Sequence, residues 1–268
     1  MGSPLVPLTR AHSALIRNLL RDNKVRNSED AFVIEGVHAC RDILRYYSSA
    51  IRSLTVTPRY LQHEGAADRE FRSKLPTKQY TCSDAVFEKL SDMESPQGIL
   101  AVVQQPQWDE DKVLGRERIC GVYGEQLRDP ANVGTIIRTA AALDLAGLWL
   151  SHDSADCFSP KVVRSTAGAV LSLPIFRAKD IRKFSERGCA IYSAVVPSVG
   201  AISLRQIQQI PSRVIIAVGN ESRGLTEATL RASRVRFSIP LARAVESLNV
   251  AATVAISSFY LSGLPDAS

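Results

Sequence analysis

Apolar and polar positions alternate along this chain with two periods. Residues 11–21 place Ala11, Ala14, Leu15 and Leu19 on one side of a helix. Ala31-Phe-Val-Ile34 predicts a strand, and residues 36–46 return to a helical pattern. Residues 51–57 predict a strand ended by Pro58, 78–82 a short strand, and 83–90 a helix capped by Ser83. Gly98-Ile-Leu-Ala-Val-Val103 is a continuous apolar run, the mark of a strand covered on both faces. Residues 106–111, Pro-Gln-Trp-Asp-Glu-Asp, are polar and broken by proline, and predict a linker.

The alternation then restarts. Strands are predicted at 119–123, 147–150, 190–196, 214–218 and 235–239, and helices at 133–143 and 248–261. Ser159-Pro160 reads as an N-cap and first helical residue, opening a helix to about Val170. Strand–helix alternation with near-continuous apolar strands predicts an α/β fold with a mainly parallel sheet. The expected organisation is a small α/β domain at 1–105, a linker at 106–116 and a second α/β domain at 117–268. No repeat of roughly 20–50 residues is visible.

Composition narrows the class. The chain has 268 residues, 45% of them apolar, enough for a well-buried core. No apolar run reaches the roughly 18 residues of a membrane span, and residues 1–10 lack the apolar core of a secretory signal, so no membrane association and cytoplasmic residence are expected. Five scattered cysteines and four scattered histidines offer neither a disulfide framework nor a metal cluster; no metal is expected. The net charge of +6 suits a nucleic-acid partner. Residues 10–26 hold Arg10, Arg17, Arg21, Lys24 and Arg26 against one acid, Asp22. Arg10, Arg17, Arg21 and Lys24 are the candidate phosphate contacts of a nucleic acid. A second basic group is Arg231, Arg234, Arg236 and Arg243.

The usual glycine-rich nucleotide loops and the nucleophile elbow of hydrolases are absent. Three other segments stand out. Asp129-Pro-Ala-Asn132-Val-Gly134-Thr-Ile-Ile-Arg138-Thr-Ala follows a strand and opens a helix, with Asp129 or Asn132 as cap. Gly219-Asn220-Glu221-Ser222-Arg223-Gly224-Leu225 leaves the strongest strand at its carboxyl end, where α/β folds place ligands. Ile239-Pro-Leu241-Ala-Arg243-Ala-Val-Glu-Ser247-Leu248-Asn249-Val ends a strand and starts the last helix, with Ser247 or Asn249 as cap.

Together these segments resemble the three motifs of the SpoU/TrmH family of RNA ribose 2′-O-methyltransferases, in the SPOUT superfamily. Ser159-Pro-Lys-Val-Val-Arg-Ser-Thr-Ala-Gly-Ala169 is also similar to a typical family segment. Phe32-Val-Ile-Glu-Gly36 and Ser95-Pro-Gln-Gly-Ile-Leu-Ala101 resemble the start and end of the substrate-binding domain common in the family. The resemblance implies a SPOUT domain with a C-terminal trefoil knot, S-adenosylmethionine held in a bent shape by the second and third motifs, and a homodimer with its active site near the subunit interface. It implies Arg138 as the main catalytic residue, surrounded by Asn132, Glu221, Ser247 and Asn249. Gly219, Asn220, Gly224, Ile239, Leu241 and Leu248 would contact the cofactor.

A guanidinium has a pKa above about 12, so Arg138 fits a fork gripping phosphate and the developing oxyanion better than a general base. Glu221 would hold Arg138, and Ser247 and Asn249 would orient Arg138 or the ribose. The chain departs from the family pattern at Leu241 for methionine, Arg243 for glycine and Ala251 for serine. The implied substrate is RNA, ribosomal RNA first and transfer RNA second. Base methylation by the same fold and an inactive RNA-binding homologue are the alternatives.

Overall fold

A computed structural model describes residues 4–198, 200–242 and 245–266, and the chain divides into two compact units. In chain order the elements begin with β1 (Leu5–Pro7), α1 (Arg10–Arg21), α2 (Asn23–Ser28), β2 (Ala31–Glu35), α3 (Val37–Tyr46) and β3 (Ile51–Val56). Then come α4 (Pro58–His63), α5 (Ala66–Lys74), β4 (Lys78–Thr81), α6 (Asp84–Leu90), β5 (Ile99–Gln104) and α7 (Glu110–Leu114). They continue with β6 (Ile119–Gly124), α8 (Pro130–Ala142), β7 (Leu148–Ser151), α9 (Pro160–Thr166), β8 (Ile175–Ala178) and α10 (Arg182–Glu186). The chain closes with β9 (Ala190–Ala194), β10 (Ile202–Ser203), β11 (Arg213–Val218), α11 (Glu227–Ala232), β12 (Val235–Ser238) and α12 (Val250–Ser262).

The first unit is Met1–Gln107 with Asp156–Leu171. Its sheet runs β1-β4-β3-β5-β2, parallel across β1, β4 and β3 and antiparallel on both sides of β5. Every residue of β2 is buried, because both faces of the strand are covered. Ala31 and Val33 join a cluster with Ile16, Leu19, Leu20 and Phe87, while Phe32 meets Phe158 at 4.9 Å between ring centroids. That second contact brings the α9 segment into this unit, although 117–268 reads in sequence as one uninterrupted domain. The helix expected to run from 159 to about 170 stops at Thr166, where Ala167 turns left-handed (φ 49°).

The basic stretch folds as two helices, the first over the predicted span and the second beyond it. Asp22 ends α1 and caps α2 by accepting from Lys24 N at 2.8 Å. The buried stripe of α1 is Ile16, Leu19 and Leu20, and Ala11, expected on the inward side, is exposed.

The second unit is Trp108–Ala155 with Ser172–Ser268. Its sheet, β10-β12-β9-β11-β6-β7-β8, is parallel throughout the described pairs. Trp149, Phe184, Ile191 and Ile215 pack in one cluster, and Tyr192, Val214, Ile216, Phe237 and Leu261 in another. The stretch read as a linker contains α7, capped by Asp109, with Val113 and Leu114 buried in the first of these clusters. Two apolar residues inside a charged context are too few for the periodic signal to register.

Candidate active site

Strands β6 and β11 lie side by side and end together at the Gly124–Val218 pair. Ligands of parallel α/β sheets bind at such carboxyl ends. Glu125, the next residue, donates its backbone N–H to Val218 O at 2.9 Å and turns a buried carboxylate inward. That carboxylate accepts from Thr226 N (2.7 Å), Thr226 Oγ1 (3.0 Å) and Thr229 Oγ1 (2.8 Å). A buried charge survives when hydrogen bonds satisfy it in this way. The result ties the loop after β6 to the start of α11. Gln126 adopts a left-handed φ of 55°, and its carbonyl accepts from Asn220 Nδ2 at 2.9 Å, lacing the same two loops again.

The loop after β11 is a tight hairpin. Asn220 and Gly224 exchange backbone hydrogen bonds at 3.0 and 2.9 Å. Asn220 Oδ1 accepts from Ser222 N (3.0 Å) and Arg223 N (3.1 Å). Gly224 sits at φ +70°, where a side chain is strained. At Gly219 a Cβ would lie 2.2 Å from Gly224 C, so this position presents backbone only.

Helix α8 starts beside this hairpin. Asp129 caps it by accepting from Ala131 N at 2.9 Å, and Pro130 occupies the first turn. Asn132 is buried and donates from Nδ2 to Glu221 Oε1 at 2.9 Å. Its Oδ1 accepts from Asn249 Nδ2 at 2.9 Å. Asn249 in turn caps α12, its Oδ1 accepting from Ala251 N (2.8 Å) and Ala252 N (3.4 Å). The directions are dictated by chemistry. An ionised carboxylate only accepts, so the Asn132 amide must face Glu221 with its NH₂ and offer its oxygen to Asn249. One relay thus joins all three sequence segments. Beside it lies a cavity of ≈ 620 Å³ walled by Gln126, Arg128, Asn132, Asn220, Glu221 and Arg223.

The structure therefore brings together Asn132, Glu221 and Asn249 from the expected catalytic set. Arg138 stands apart: it is exposed on α8 and makes no hydrogen bond or ion pair among the described residues. It lies six positions after Asn132, roughly 240° around the helix and about 9 Å along it. The expectation that Glu221 holds Arg138 is corrected, because the Glu221 carboxylate is taken by Asn132. Ser247 is exposed without a hydrogen bond among the described residues, and the cap of α12 is Asn249.

Of the expected cofactor contacts, Gly219, Asn220 and Gly224 share the hairpin. Ile239, Leu241 and Leu248 are half-buried, Ile239 packing against the cluster around Phe237. Arg243 lies outside the described residues.

Arg10, Arg17, Arg21 and Lys24 are exposed on α1 and α2 of the first unit. Arg26, from the same basic stretch, is buried instead. It pairs with Asp156 at 2.6 Å and donates to Leu19 O at 2.5 Å, so it is a structural cation. Sequence reasoning passed over Glu125, Gln126, Arg128 and Arg223. Arg128 and Arg223 lay within reach, since each belongs to or adjoins a motif. Nothing local distinguishes Glu125, whose partners are 101 and 104 residues away.

Comparison with known proteins assigns this parallel α/β unit to a class of RNA methylases. Residues 121–259 match the SpoU rRNA Methylase family and residues 16–101 the MRM3-like substrate binding domain. The 23S rRNA (guanosine(2553)-2′-O)-methyltransferase RlmP of Bacillus subtilis is 30% identical over 91% of this chain and 93% of its own. A TrmH-family RNA methyltransferase structure from Porphyromonas gingivalis superposes with a TM-score of 0.79 at 28% identity, covering 95% of this chain and 98% of the other. The AdoMet-bound rRNA methyltransferase from Sinorhizobium meliloti superposes equally, with a TM-score of 0.79 at 26% identity over 96% and 97% of the two chains. The chain belongs to the SpoU rRNA methylase family.

Proposed function

We propose that this protein transfers a methyl group from S-adenosylmethionine to a ribose 2′-hydroxyl of ribosomal RNA in the cytoplasm. The observation that carries the reading is the Glu221–Asn132–Asn249 relay, which holds three chain segments at the carboxyl ends of β6 and β11. Large-subunit RNA is the first choice of substrate, because the Bacillus subtilis relative is named for that RNA.

The residues present fit the cofactor. The Asn220–Gly224 hairpin offers main-chain groups to an adenosyl moiety, while Ile239, Leu241 and Leu248 keep partly exposed apolar surface for it. When bound, S-adenosylmethionine supplies a methyl group already activated by its sulfonium, so no metal is needed. The protein's task is to align the 2′-oxygen and assist loss of its proton. Asn132 and Glu221 form a wall of fixed orientation for the ribose, because each amide and carboxylate atom of their contact has its partner. The knotted threading of the C-terminal segment is carried over with the family.

The same reading includes a homodimer. Ile256 (43% exposed) and Phe259 (71% exposed) stand on α12 without cover, an apolar pair that a second copy would bury. Arg138 is exposed on α8, which packs on α12, and is free to serve a partner's site as the donor that stabilises the developing oxyanion. The first unit would add RNA affinity through Arg10, Arg17, Arg21 and Lys24.

Tritiated-methyl transfer to an unmodified large-subunit rRNA transcript tests the reading. Alkaline digestion of the product should leave resistant dinucleotides, since a methylated 2′-oxygen cannot attack its phosphate. Label recovered only in mononucleotides would mean base methylation, and no label would mean an RNA-binding protein without catalysis.

A further inference from the structure

We infer that Arg128 and Arg223 form a phosphate grip at this cavity, taking the RNA backbone at the target nucleotide; the inference rests on the proposed reaction. Four charged side chains line the cavity: Arg128, Asp129, Glu221 and Arg223. Both carboxylates are engaged. Asp129 caps α8, and Glu221 accepts from Asn132 at 2.9 Å. The two guanidiniums are exposed and make no hydrogen bond or ion pair among the described residues. The cavity wall therefore carries two guanidiniums without a protein partner beside two carboxylates that each accept a hydrogen bond from a neutral donor.

The chemistry of the substrate suits the two unpartnered guanidiniums. A ribose 2′-oxygen neighbours the 3′-phosphate of the same sugar, so a cavity that receives one must accommodate the charge of the other. Helix α8 cannot supply this alone, because Asp129 already caps it through Ala131 N and Pro130 has no N–H. Guanidinium forks bind phosphate oxygens in pairs and lose little hydration in doing so. Arg138 of the same chain does not line this cavity, so the grip first expected of it falls to these two residues.

Arg128→Ala, Arg223→Ala, the double variant and the corresponding lysine variants separate the roles. Two quantities are read on the unmodified large-subunit rRNA transcript: KM for RNA against kcat, and filter-binding affinity over a salt series. Each alanine variant should raise KM about tenfold, as expected for loss of a charged hydrogen bond, with kcat held within about twofold. The slope of log affinity against log salt should fall by about one for each residue removed. Lysine should restore the slope and only part of the KM, and calorimetric S-adenosylmethionine binding should not change. Unaltered KM and salt slope in the double variant would overturn the grip, as would loss of cofactor binding, which would give the arginines a role in the cofactor loop. Wild-type protein that shows these binding effects yet transfers no methyl group would overturn the proposed reaction and leave the grip standing.

Discussion

Asn132 makes two hydrogen bonds of opposite sense, and a single isosteric change separates them. Aspartate at this position keeps the acceptor facing Asn249 but turns the donor facing Glu221 into a second carboxylate. Two carboxylates in contact cannot both ionise cheaply. Asn132→Asp should therefore lower turnover by about 10² or more, the scale of losing a positioned donor, with the folded state retained by circular dichroism. A variant with near-normal turnover would remove the relay from the mechanism. Gly219 offers a second test at one atom. A Cβ there would lie 2.2 Å from Gly224 C and 2.3 Å from Gly224 O, both backbone atoms that cannot swing aside. Gly219→Ala should distort the hairpin and abolish cofactor binding in calorimetry, with the secondary structure retained by circular dichroism.

Helix α1 shows what burial does to a titratable group at the scale of an element. His12 is half-buried, stacks on Tyr80 at 4.2 Å between ring centroids and shares a 2.9 Å hydrogen bond with Ser53 Oγ. Burial, and then the Lys78 charge, hold its pKa below the ordinary histidine value of 6.5. The folded state thus binds the proton less readily than the unfolded chain. The stabilisation is full above the unfolded pKa and is lost as pH falls through the folded one. Between about pH 7.5 and pH 5.5 the wild type should lose more thermal stability than His12→Phe, which keeps a ring against Tyr80 and cannot protonate.

Elements also divide what was legible in the chain. The long apolar strands β2, β5, β6 and β11 and the helices α1, α3, α8 and α12 announce themselves by period and cap residues. The short elements α4, α5, α10 and α11 do not, because a helix of five to nine residues carries too few turns to repeat a pattern. The three motif segments were visible as oddities of composition, and their union was visible only through resemblance. What stayed hidden was pairing across long separations. Asn132 meets Glu221 over 89 residues and Asn249 over 117, and Arg26 meets Asp156 over 130. Period and propensity are local quantities, so Arg26 looked like one more surface cation until tertiary structure buried it.

At the scale of the whole molecule, we propose that the first unit adds RNA affinity and the second carries the methyl transfer. Neutralising Arg17, Arg21 and Lys24 together should weaken RNA binding and flatten its salt dependence by about three in slope, because each lost phosphate contact releases one fewer counterion. Cofactor affinity, which belongs to the second unit, should be unchanged in calorimetry. A triple variant with the wild-type slope would mean these exposed cations are only a solvated face. The central claim is that the Glu221–Asn132–Asn249 site methylates a ribose of ribosomal RNA. Mapping 2′-O-methyl positions in total RNA from cells with the gene, without it, and complemented by Asn132→Asp tests that claim most directly. One ribosomal 2′-O-methyl position should be lost with the gene and not restored by the variant; an unchanged ribosomal map, or a loss confined to transfer RNA or to a methylated base, would contradict this activity.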